Sequence, residues 1–232
     1  MRVKGLNVDG IVRISNARVY GMSESIIASG YPMNTEYCEN MSEYELKDRD
    51  IIRSRKLGNA APGSGHDCYL KGIQLQFDLQ VPEYIWRQLD RYHFIDYVSS
   101  QSKMHRILKF DMDEICNKYV TKETIDNLNS YIDLYNNFDD YVKLYEVAGT
   151  TPTIKLRNGE VIEYTKENIF RIIIANCPCG LMLTARMTTN YLQLKSIINQ
   201  RSNHKMQEWR YITEWMKTLP LVNEIVMKKE EE

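Results

Sequence analysis

The chain of 232 residues lacks the features that mark membrane, secreted and nucleic-acid-binding proteins. No apolar run approaches the roughly 20 residues of a membrane-spanning helix. The first ten residues, MRVKGLNVDG, have no apolar segment of the kind found in secretory signals. The net charge is −1, so the overall balance gives no sign of a nucleic-acid or anionic-membrane partner. We therefore expect a cytoplasmic protein that binds neither nucleic acid nor membrane.

Cysteine is also scarce and shows no useful spacing. Cys177 and Cys179 lie too close together for an ordinary disulfide, and no second pair completes a zinc site. An odd, scattered set is typical of reduced thiols in a cytoplasm, and we expect no metal centre. The five cysteines are Cys38, Cys68, Cys116, Cys177 and Cys179.

The composition that is present suits an ordinary globular core. Apolar residues make up 43% of the chain and charged residues 26%. This length and composition predict a single domain over residues 1–232. Strand and helix patterns follow each other without regular βαβ alternation. The predicted class is therefore α+β, with an antiparallel or mixed sheet flanked by helices.

The clearest strand pattern runs from Gly72 to Val81, where apolar and polar residues alternate strictly. Pro82 ends this strand and suits the first turn of a helix. That helix carries Gln88 and Arg91 on one face, because they are three residues apart. A strand that delivers polar side chains to a helix start suits an anion or cofactor. Taken alone, however, the stretch fits a solvated helix with surface arginines better.

A glycine-rich loop, NAAPGSGHD, precedes this strand and covers residues 59–67. Gly63 and Gly65 let the backbone turn tightly and approach a ligand closely. His66 stands near the end of the loop. A lone loop histidine is usually a surface residue, but the strand that follows leads directly to the polar helix, which favours a site.

Caps, stops and periodicity predict the remaining elements. The aromatic stripe of the longest predicted helix, which ends at Gly149, suits core or oligomer packing. The Asn-Gly pair predicts a type I′ hairpin turn. The predicted elements are strands over 17–20 and 94–99, a helix capped by Ser23 and ending at Ala28, a capping-box helix from Ser42 to about Leu57, a helix from Thr121 to Gly149, a hairpin around Asn158 and Gly159, and helices over 165–175, 184–200 and 203–217.

Three separated segments resemble the motifs of flavin-dependent thymidylate synthases, in the family order. Arg87 to His93, RQLDRYH, resembles the RQxxRHR start of the signature RHRxxSxxxxSxR. Gly65 to Asp67 resembles the start of the GHxSxxEH segment. Asn190 to Trp209 resembles the helix pair NARSLxNFLxLRxxxHAQWE, with Arg201 and Gln207 on its arginine and glutamine. Order and spacing carry the resemblance, which spans roughly residues 17–219.

The chain departs from these motifs at several positions. Tyr92 and His93 stand where the signature has histidine and arginine. Asp96 stands at its first serine, and Gly72 at the second histidine of GHxSxxEH. These departures indicate a divergent member or a relative with an altered substrate. The later serine and arginine positions fall on Gln101 and Lys103 without a gap, or on Ser100, Ser102 or Arg106 after a shift of one or two residues.

The resemblance implies reductive methylation of dUMP to dTMP. Methylenetetrahydrofolate would supply the carbon, and FAD reduced by NADPH would supply hydride. That family chemistry uses no cysteine nucleophile on the protein. It also implies a homotetramer with sites between subunits, and it makes the predicted hairpin near residues 152–164 an insertion in the single domain.

The resemblance further implies roles for individual residues, although each of them taken singly also fits a structural role. Arg201 would stabilise charge on the pyrimidine, and His66 would lie at the flavin or folate end; these are the predicted catalytic residues. The predicted cofactor contacts are Arg91, Tyr92, His93, His204 and Gln207. The predicted nucleotide contacts are Gln88, Ser99, Ser100, Gln101, Ser102, Lys103 and Arg201.

Two other functions stay open at this point. One is flavin-dependent one-carbon transfer to another pyrimidine nucleotide of the UMP or dCMP type. The other is a catalytically silent nucleotide-binding homologue. The altered signature motivates the first, and the loss of its third-position arginine, together with the second histidine of GHxSxxEH, motivates the second.

Overall fold

A computed structural model describes residues 1–35, 40, 45–61 and 64–227 of the chain. The chain divides into two compact units. Unit 1 comprises residues 1–81, 85–100 and 184–232, and unit 2 comprises residues 82–84 and 101–183. Within the described ranges, no helix is both long and apolar enough to cross a membrane.

Strands and helices are mixed along the described chain, as predicted. The strands are β1 (Leu6–Val8), β2 (Val12–Tyr20), β3 (Gln74–Pro82), β4 (Ile95–Ser100), β5 (Thr153–Lys155), β6 (Val161–Glu163) and β7 (Met182–Asn190). The helices are α1 (Met22–Ala28), α2 (Asp48–Gly58), α3 (Glu83–Leu89), α4 (Lys103–Arg106), α5 (Met112–Ile115), α6 (Lys122–Asn136), α7 (Phe138–Val147), α8 (Lys166–Asn176), α9 (Tyr191–Arg201), α10 (Gln207–Lys217) and α11 (Val222–Ile225).

Unit 1 is built on a five-stranded sheet with the order β1-β2-β3-β7-β4. The β1–β2, β2–β3 and β4–β7 pairs are antiparallel. Alternate residues of β2 and β3 are buried, so one face of the sheet packs on the core and the other carries polar side chains. On the core face, the rings of Phe77 and Trp215 lie 5.3 Å apart, which joins β3 to α10. The α+β prediction is confirmed.

The predicted junction between β3 and α3 is also confirmed. The period-two pattern becomes a strand that ends at Pro82, and α3 begins at the next residue. Ile85, Trp86 and Leu89 are buried, so α3 packs its apolar side inward. Its polar side carries the exposed Arg87. The local rules of alternation and proline placement were sufficient here.

The helix predicted over residues 184–200 is wrong in its first half. Residues up to Asn190 belong to β7, and α9 begins at Tyr191. The Asn190 side chain caps α9, since its Oδ1 accepts a hydrogen bond from Gln193 N at 3.0 Å. Thr188 and Thr189 are β-branched and pair with β4, so long-range sheet pairing overrides the helical reading.

Two smaller predictions in unit 1 need correction or fall outside the described residues. Ser23 does not cap α1, because Gly21 in a left-handed conformation (φ 67°) occupies the cap position. The capping box predicted at Ser42 involves residues 42–44, which lie outside the described ranges. In the described part, α2 begins at Asp48, and Asp50 Oδ2 accepts a hydrogen bond from Lys47 N at 3.1 Å.

Unit 2 has its own apolar core between α6 and α8. The predicted caps of both helices are confirmed: Thr121 accepts a hydrogen bond from Thr124 N, and Thr165 accepts one from Asn168 N. The apolar faces of the two helices meet below these caps. The buried residues of this core are Ile107, Met112, Cys116, Ile125, Leu128, Ile132, Ile169, Ile173 and Leu181.

Two other predictions in unit 2 are partly wrong. The helix predicted to reach Gly149 is broken at Asn137, which lies between α6 and α7; its Nδ2 donates to Asp133 Oδ1 at 2.6 Å. The β5–β6 hairpin forms, but its turn is not type I′. Gly159 has a positive φ of 87°, whereas Asn158 does not, and type I′ requires both. That this hairpin is an insertion stays a prediction.

Candidate functional site

Unit 1 brings Gln88 and Arg201 together although 113 residues separate them in sequence. Gln88 lies in the last turn of α3, and Arg201 is the last residue of α9. Gln88 Oε1 accepts a hydrogen bond from Trp209 Nε1 at 2.9 Å and a longer one from Arg201 Nη1 at 3.4 Å. Two of the three motif segments found in the sequence therefore meet at one amide.

Arg201 is held by aromatic rings as well as by hydrogen bonds. Its Nε donates to the Tyr92 hydroxyl at 2.8 Å. Its guanidinium carbon lies 4.8 Å from the centre of the Trp209 ring and 5.7 Å from that of Tyr92. Such contacts fix a planar cation in one orientation. We call Gln88, Tyr92, Arg201 and Trp209 the Arg201 cluster.

His204 stands at the edge of this cluster, with its ring 6.3 Å from that of Trp209. Its Nδ1 accepts a hydrogen bond from Met206 N at 3.1 Å, so the neutral ring carries its proton on Nε2. Burial lowers the pKa of His204, and the nearby cations of Arg201 and Lys205 lower it further. The neutral imidazole is therefore the favoured form beside the cluster.

A cavity of about 680 Å³ lies beside the cluster along α9, and we call it the α9 pocket. Gln200 lines this pocket and also accepts a hydrogen bond from the Tyr92 hydroxyl at 3.0 Å, which connects the pocket to the cluster. Asn190 and Gln193 add amide groups to the wall, and Phe94 adds an exposed ring. Mixed amide and apolar walls of this size suit a heteroaromatic ligand.

A buried ion pair supports the wall of the α9 pocket. Lys195 Nζ and Asp67 Oδ2 lie 2.7 Å apart, and both residues line the pocket. Lys195 Nζ also donates to Gly58 O at 2.7 Å. One ammonium group thus ties α9 to the last residue of α2 and to the end of the glycine-rich loop.

The structure places His66 apart from these contacts. It is exposed and begins a 3₁₀ helix, His66–Gly72, directly after Gly65 in a left-handed conformation (φ 77°). It lines a second cavity of about 640 Å³, together with Arg53 and Tyr69. Gly65 lines both cavities, whereas Gly63 lies outside the described residues. That this loop approaches a ligand stays a prediction. The catalytic role of His66 stays a prediction.

The remaining predicted cofactor contacts lie at the surface of unit 1. Arg91 and His93 flank Tyr92 and are exposed, whereas Tyr92 is half-buried in the cluster. Gln207 is the half-buried first residue of α10. Their roles toward a flavin stay predictions.

The predicted phosphate loop divides between the two units. Ser99 and Ser100 are exposed residues at the end of β4 in unit 1. In unit 2, Gln101 is exposed and Ser102 caps α4 by accepting a hydrogen bond from His105 N at 3.3 Å. Lys103 Nζ forms an ion pair with Glu83 at 2.9 Å. Ser102 and Lys103 therefore already have local structural partners. The nucleotide role of all five residues stays a prediction.

Cysteine chemistry is suppressed where it is buried. Cys68, Cys116, Cys177 and Cys179 are free thiols, and Cys38 lies outside the described residues. Burial raises the pKa of Cys116 and of Cys177 to about 11. Among the described residues, no group of histidine, cysteine and acidic side chains could hold a metal ion.

Sequence reasoning missed Trp209, Lys195 and Asp67 as parts of the site. Lys195 did leave a signal, because it interrupts the apolar side of α9 between Leu194 and Ile197. A charged residue on a buried helix face needs a partner. Nothing in the sequence, however, identifies that partner as Asp67, which lies 128 residues earlier.

No protein-family model matches the chain, and no curated protein matches it. Solved structures do match. Two are flavin-dependent thymidylate synthase from Helicobacter pylori with FAD and dUMP. One is 11% identical with a TM-score of 0.57, covering 93% of this chain and 97% of that chain. The other is 12% identical with a TM-score of 0.59, covering 93% and 96%. At such identities the likeness shows the fold alone.

A third match is a UMP/dUMP methylase, PolB, from Streptomyces cacaoi bound with 5-Br dUMP. It is 14% identical with a TM-score of 0.49, and the match covers 89% of this chain and 88% of that chain.

Proposed function

We propose that this chain is a flavin-dependent enzyme that methylates a pyrimidine nucleotide, with dUMP as substrate and dTMP as product. Methylenetetrahydrofolate would be the carbon donor, and NADPH would reduce the FAD. The observation that carries the proposal is the contact between Gln88 and Arg201. Each lies in a segment that resembles a different motif of the family. They meet in a fold shared with enzymes solved with FAD and dUMP.

The α9 pocket fits a flavin ring. Its volume of about 680 Å³ lies in the usual range for cofactor sites. The amides of Gln193 and Gln200 can pair with the polar edge of an isoalloxazine, and Phe94 offers an apolar contact for its other edge. When bound, FAD supplies the hydride chemistry that no side chain of the protein provides.

The charged end of FAD needs cations near the pocket. Arg91 is exposed two residues after the last residue of α3 and is free to make bidentate contacts with a diphosphate. In this proposal the neighbouring residues Tyr92 and His93 add polar contacts to the FAD. His204 lies beside Trp209, and Gln207 begins the helix that carries Trp209. In this proposal both residues serve the flavin side of the cluster.

The Arg201 cluster provides the pyrimidine site. Tyr92 and Trp209 fix the guanidinium, so its remaining N–H groups are oriented before a ligand arrives. Two donors occupy Gln88 Oε1, which fixes the orientation of the side-chain amide. An oriented cation and an amide donor can stabilise negative charge that develops on a uracil ring. Ser99 to Lys103 would receive the phosphate.

The proposal includes assembly and location. We propose that partner subunits of a homotetramer complete each site, including the folate and NADPH positions, as the resemblance to the family implies. His66 would stand at the flavin or folate end. We also propose a cytoplasmic location, where free thiols persist.

The first experiment is to purify the protein, add FAD and record its absorbance after gel filtration. A flavoprotein retains the yellow cofactor, is bleached by NADPH, and then forms dTMP from dUMP and methylenetetrahydrofolate. Arg13→Ala, which removes an exposed arginine of β2, is the matched control for variants in the cluster. A protein that takes up no FAD would reject both the synthase and its close alternative, and would leave the silent homologue.

A second candidate substrate is UMP or a dCMP-type nucleotide. The observation that favours it is that Tyr92, a departure from the family signature, directly binds Arg201. A changed residue against the base-binding cation is where base preference would change. Chromatography of products from dUMP, UMP and dCMP distinguishes the candidates: flavin oxidation with UMP and none with dUMP would overturn the thymidylate assignment.

A further inference from the structure

A row of arginines crosses the polar face of the sheet in unit 1. Arg2 stands opposite Arg18 in an antiparallel bridge, and Arg18 stands opposite Gln76 of β3. Gln76 Oε1 in turn accepts a long hydrogen bond from Arg186 Nη2 of β7 at 3.4 Å. Residues directly opposite in a sheet project to the same face. We call Arg2, Arg18 and Arg186 the arginine row.

The arginine row lines a cavity of about 500 Å³. Asn16 contributes to its wall from a β-bulge between Ser15 and Arg18, where it has a positive φ of 50°. A bulge changes the direction of the strand and of the side chains that follow it. None of the lining residues belongs to the Arg201 cluster or to the α9 pocket.

One cation of the row is already fixed in place. Arg186 Nη1 donates to Asn16 O at 2.9 Å and forms an ion pair with Asp78 at 3.1 Å. Asn16 Nδ2 also donates to Asp78 Oδ2. The carboxylate of Asp78 is therefore occupied by neighbours on both sides. Arg186 presents a pre-organised guanidinium to the cavity.

In the part of the chain that the structure describes, neither Arg2 nor Arg18 forms an ion pair with a carboxylate. Like charges directly opposite each other destabilise a sheet. Three guanidinium groups line the cavity, and none of its described lining residues is acidic. Positive charge is therefore in excess at this concave surface, which attracts anions.

We propose that this cavity binds a phosphate-type oxyanion. Arg2 and Arg18 would each make forked contacts with its oxygens, and Arg186 would hold it from the inner side. Inorganic phosphate, pyrophosphate and the phosphate ester of a nucleotide share this chemistry. The lining residues are not members of the Arg201 cluster, so the site does not depend on the proposed enzymatic function.

Calorimetric titration of the purified full-length protein with phosphate and pyrophosphate, at low ionic strength, tests the proposal. Arg18→Gln should weaken binding at least about tenfold, because it removes a charge-assisted contact. Arg13→Gln is the matched control: it removes the same charge from the same strand, but Arg13 does not line the cavity. The affinity of the Arg13→Gln variant for either anion should stay within about twofold of that of the wild type.

Three outcomes overturn the proposal: no binding of either anion, equal weakening by Arg13→Gln and Arg18→Gln, or loss of pyrophosphate binding in Arg201→Gln. If Arg18→Gln fails to fold, Arg2→Gln replaces it, since Arg2 is exposed and lies outside the main strands. Titrating dUMP into the Arg201→Gln variant identifies the source of the anion. Tighter binding of dUMP indicates a nucleotide phosphate, and tighter binding of pyrophosphate indicates a free anion; both support the site.

Discussion

Lys195 and Asp67 form an ion pair of 2.7 Å in the interior of unit 1, with side chains only 8% and 9% exposed. The ammonium group also donates to the carbonyl of Gly58. Because the pair joins α9 to the end of the glycine-rich loop, it determines the distance between two walls of the α9 pocket. The shape of the proposed flavin site therefore depends on a contact between residues that would not touch the reacting atoms.

Replacing Lys195 by methionine should lower the free energy of unfolding by about 3–5 kcal/mol, because Asp67 is left buried without its partner. Urea denaturation of the isolated protein measures this. The double variant Lys195→Met with Asp67→Leu should recover most of the loss, since neither charge is then buried alone. A loss below about 1 kcal/mol in the single variant, which is typical of exposed pairs, would contradict a buried pair.

The sequence predicted an element of the fold correctly where the interactions that determine it lie within a few residues of each other. The β3–α3 junction was predicted correctly because alternation and Pro82 act within a few residues. The caps Thr121 and Thr165 were predicted for the same reason. The segment 184–190 was assigned to a helix because its strand pairing with β4 is invisible locally.

In the candidate site, too, contacts between residues far apart in sequence could not be predicted from local patterns. Gln88 and Arg201 were both assigned to the nucleotide site through the family resemblance, since no local pattern relates residues 113 positions apart. Their direct contact was not predicted. Trp209 and the Lys195–Asp67 pair were not foreseen, because their roles arise only when α9 and α10 pack against earlier segments. The arginine row likewise needs the strand register, which composition does not reveal.

Tyr92→Phe should lower the rate of nucleotide-dependent flavin oxidation by about tenfold or more. The variant keeps the ring but removes the hydroxyl that accepts a hydrogen bond from Arg201 Nε. A hydrogen bond to a charged group contributes about 1.5–3 kcal/mol of stabilisation, which corresponds to a factor of ten or more in rate. Stopped-flow absorbance of the reduced protein mixed with dUMP and methylenetetrahydrofolate measures the rate. Tyr20→Phe, on an exposed tyrosine of β2, is the control and should leave it unchanged.

Arg201→Ala should abolish most nucleotide-dependent flavin oxidation while the protein remains folded and retains FAD. Arg201→Lys should not restore it, because a lysine cannot reproduce both the contact with Tyr92 and the stacking on Trp209. Circular dichroism and gel filtration report the folded state. If Arg201→Ala becomes insoluble and Arg201→Lys is fully active, the residue has a structural role instead.

Arg91→Ala should weaken FAD binding by about tenfold or more, as expected for the loss of one charge-assisted contact with a diphosphate. Quenching of flavin fluorescence during titration measures the affinity. Arg91 is exposed, so the variant should unfold at the same urea concentration as the wild type. Arg13→Ala removes a comparable exposed charge from β2 and should bind FAD normally. An unchanged affinity in Arg91→Ala would reject the assigned role.

Acidification should destabilise the protein through His204. Burial, Arg201 and Lys205 lower its pKa in the folded state below the value of about 6.5 that an unfolded chain has. Between the unfolded pKa of about 6.5 and the lower folded pKa, the unfolded state binds the proton more readily than the folded state. The free energy of unfolding therefore rises with pH in this interval and is lost on acidification. The urea concentration at the unfolding midpoint of the wild type should therefore decrease when the pH is lowered from about 7.5 to about 5.5. The midpoint of His204→Gln should decrease less. At the higher pH both states hold a neutral ring, so any difference between the variants there reports only the lost contacts with Trp209 and Met206. Identical slopes in the two proteins would show that neither burial nor the cations of Arg201 and Lys205 lower the pKa of this imidazole.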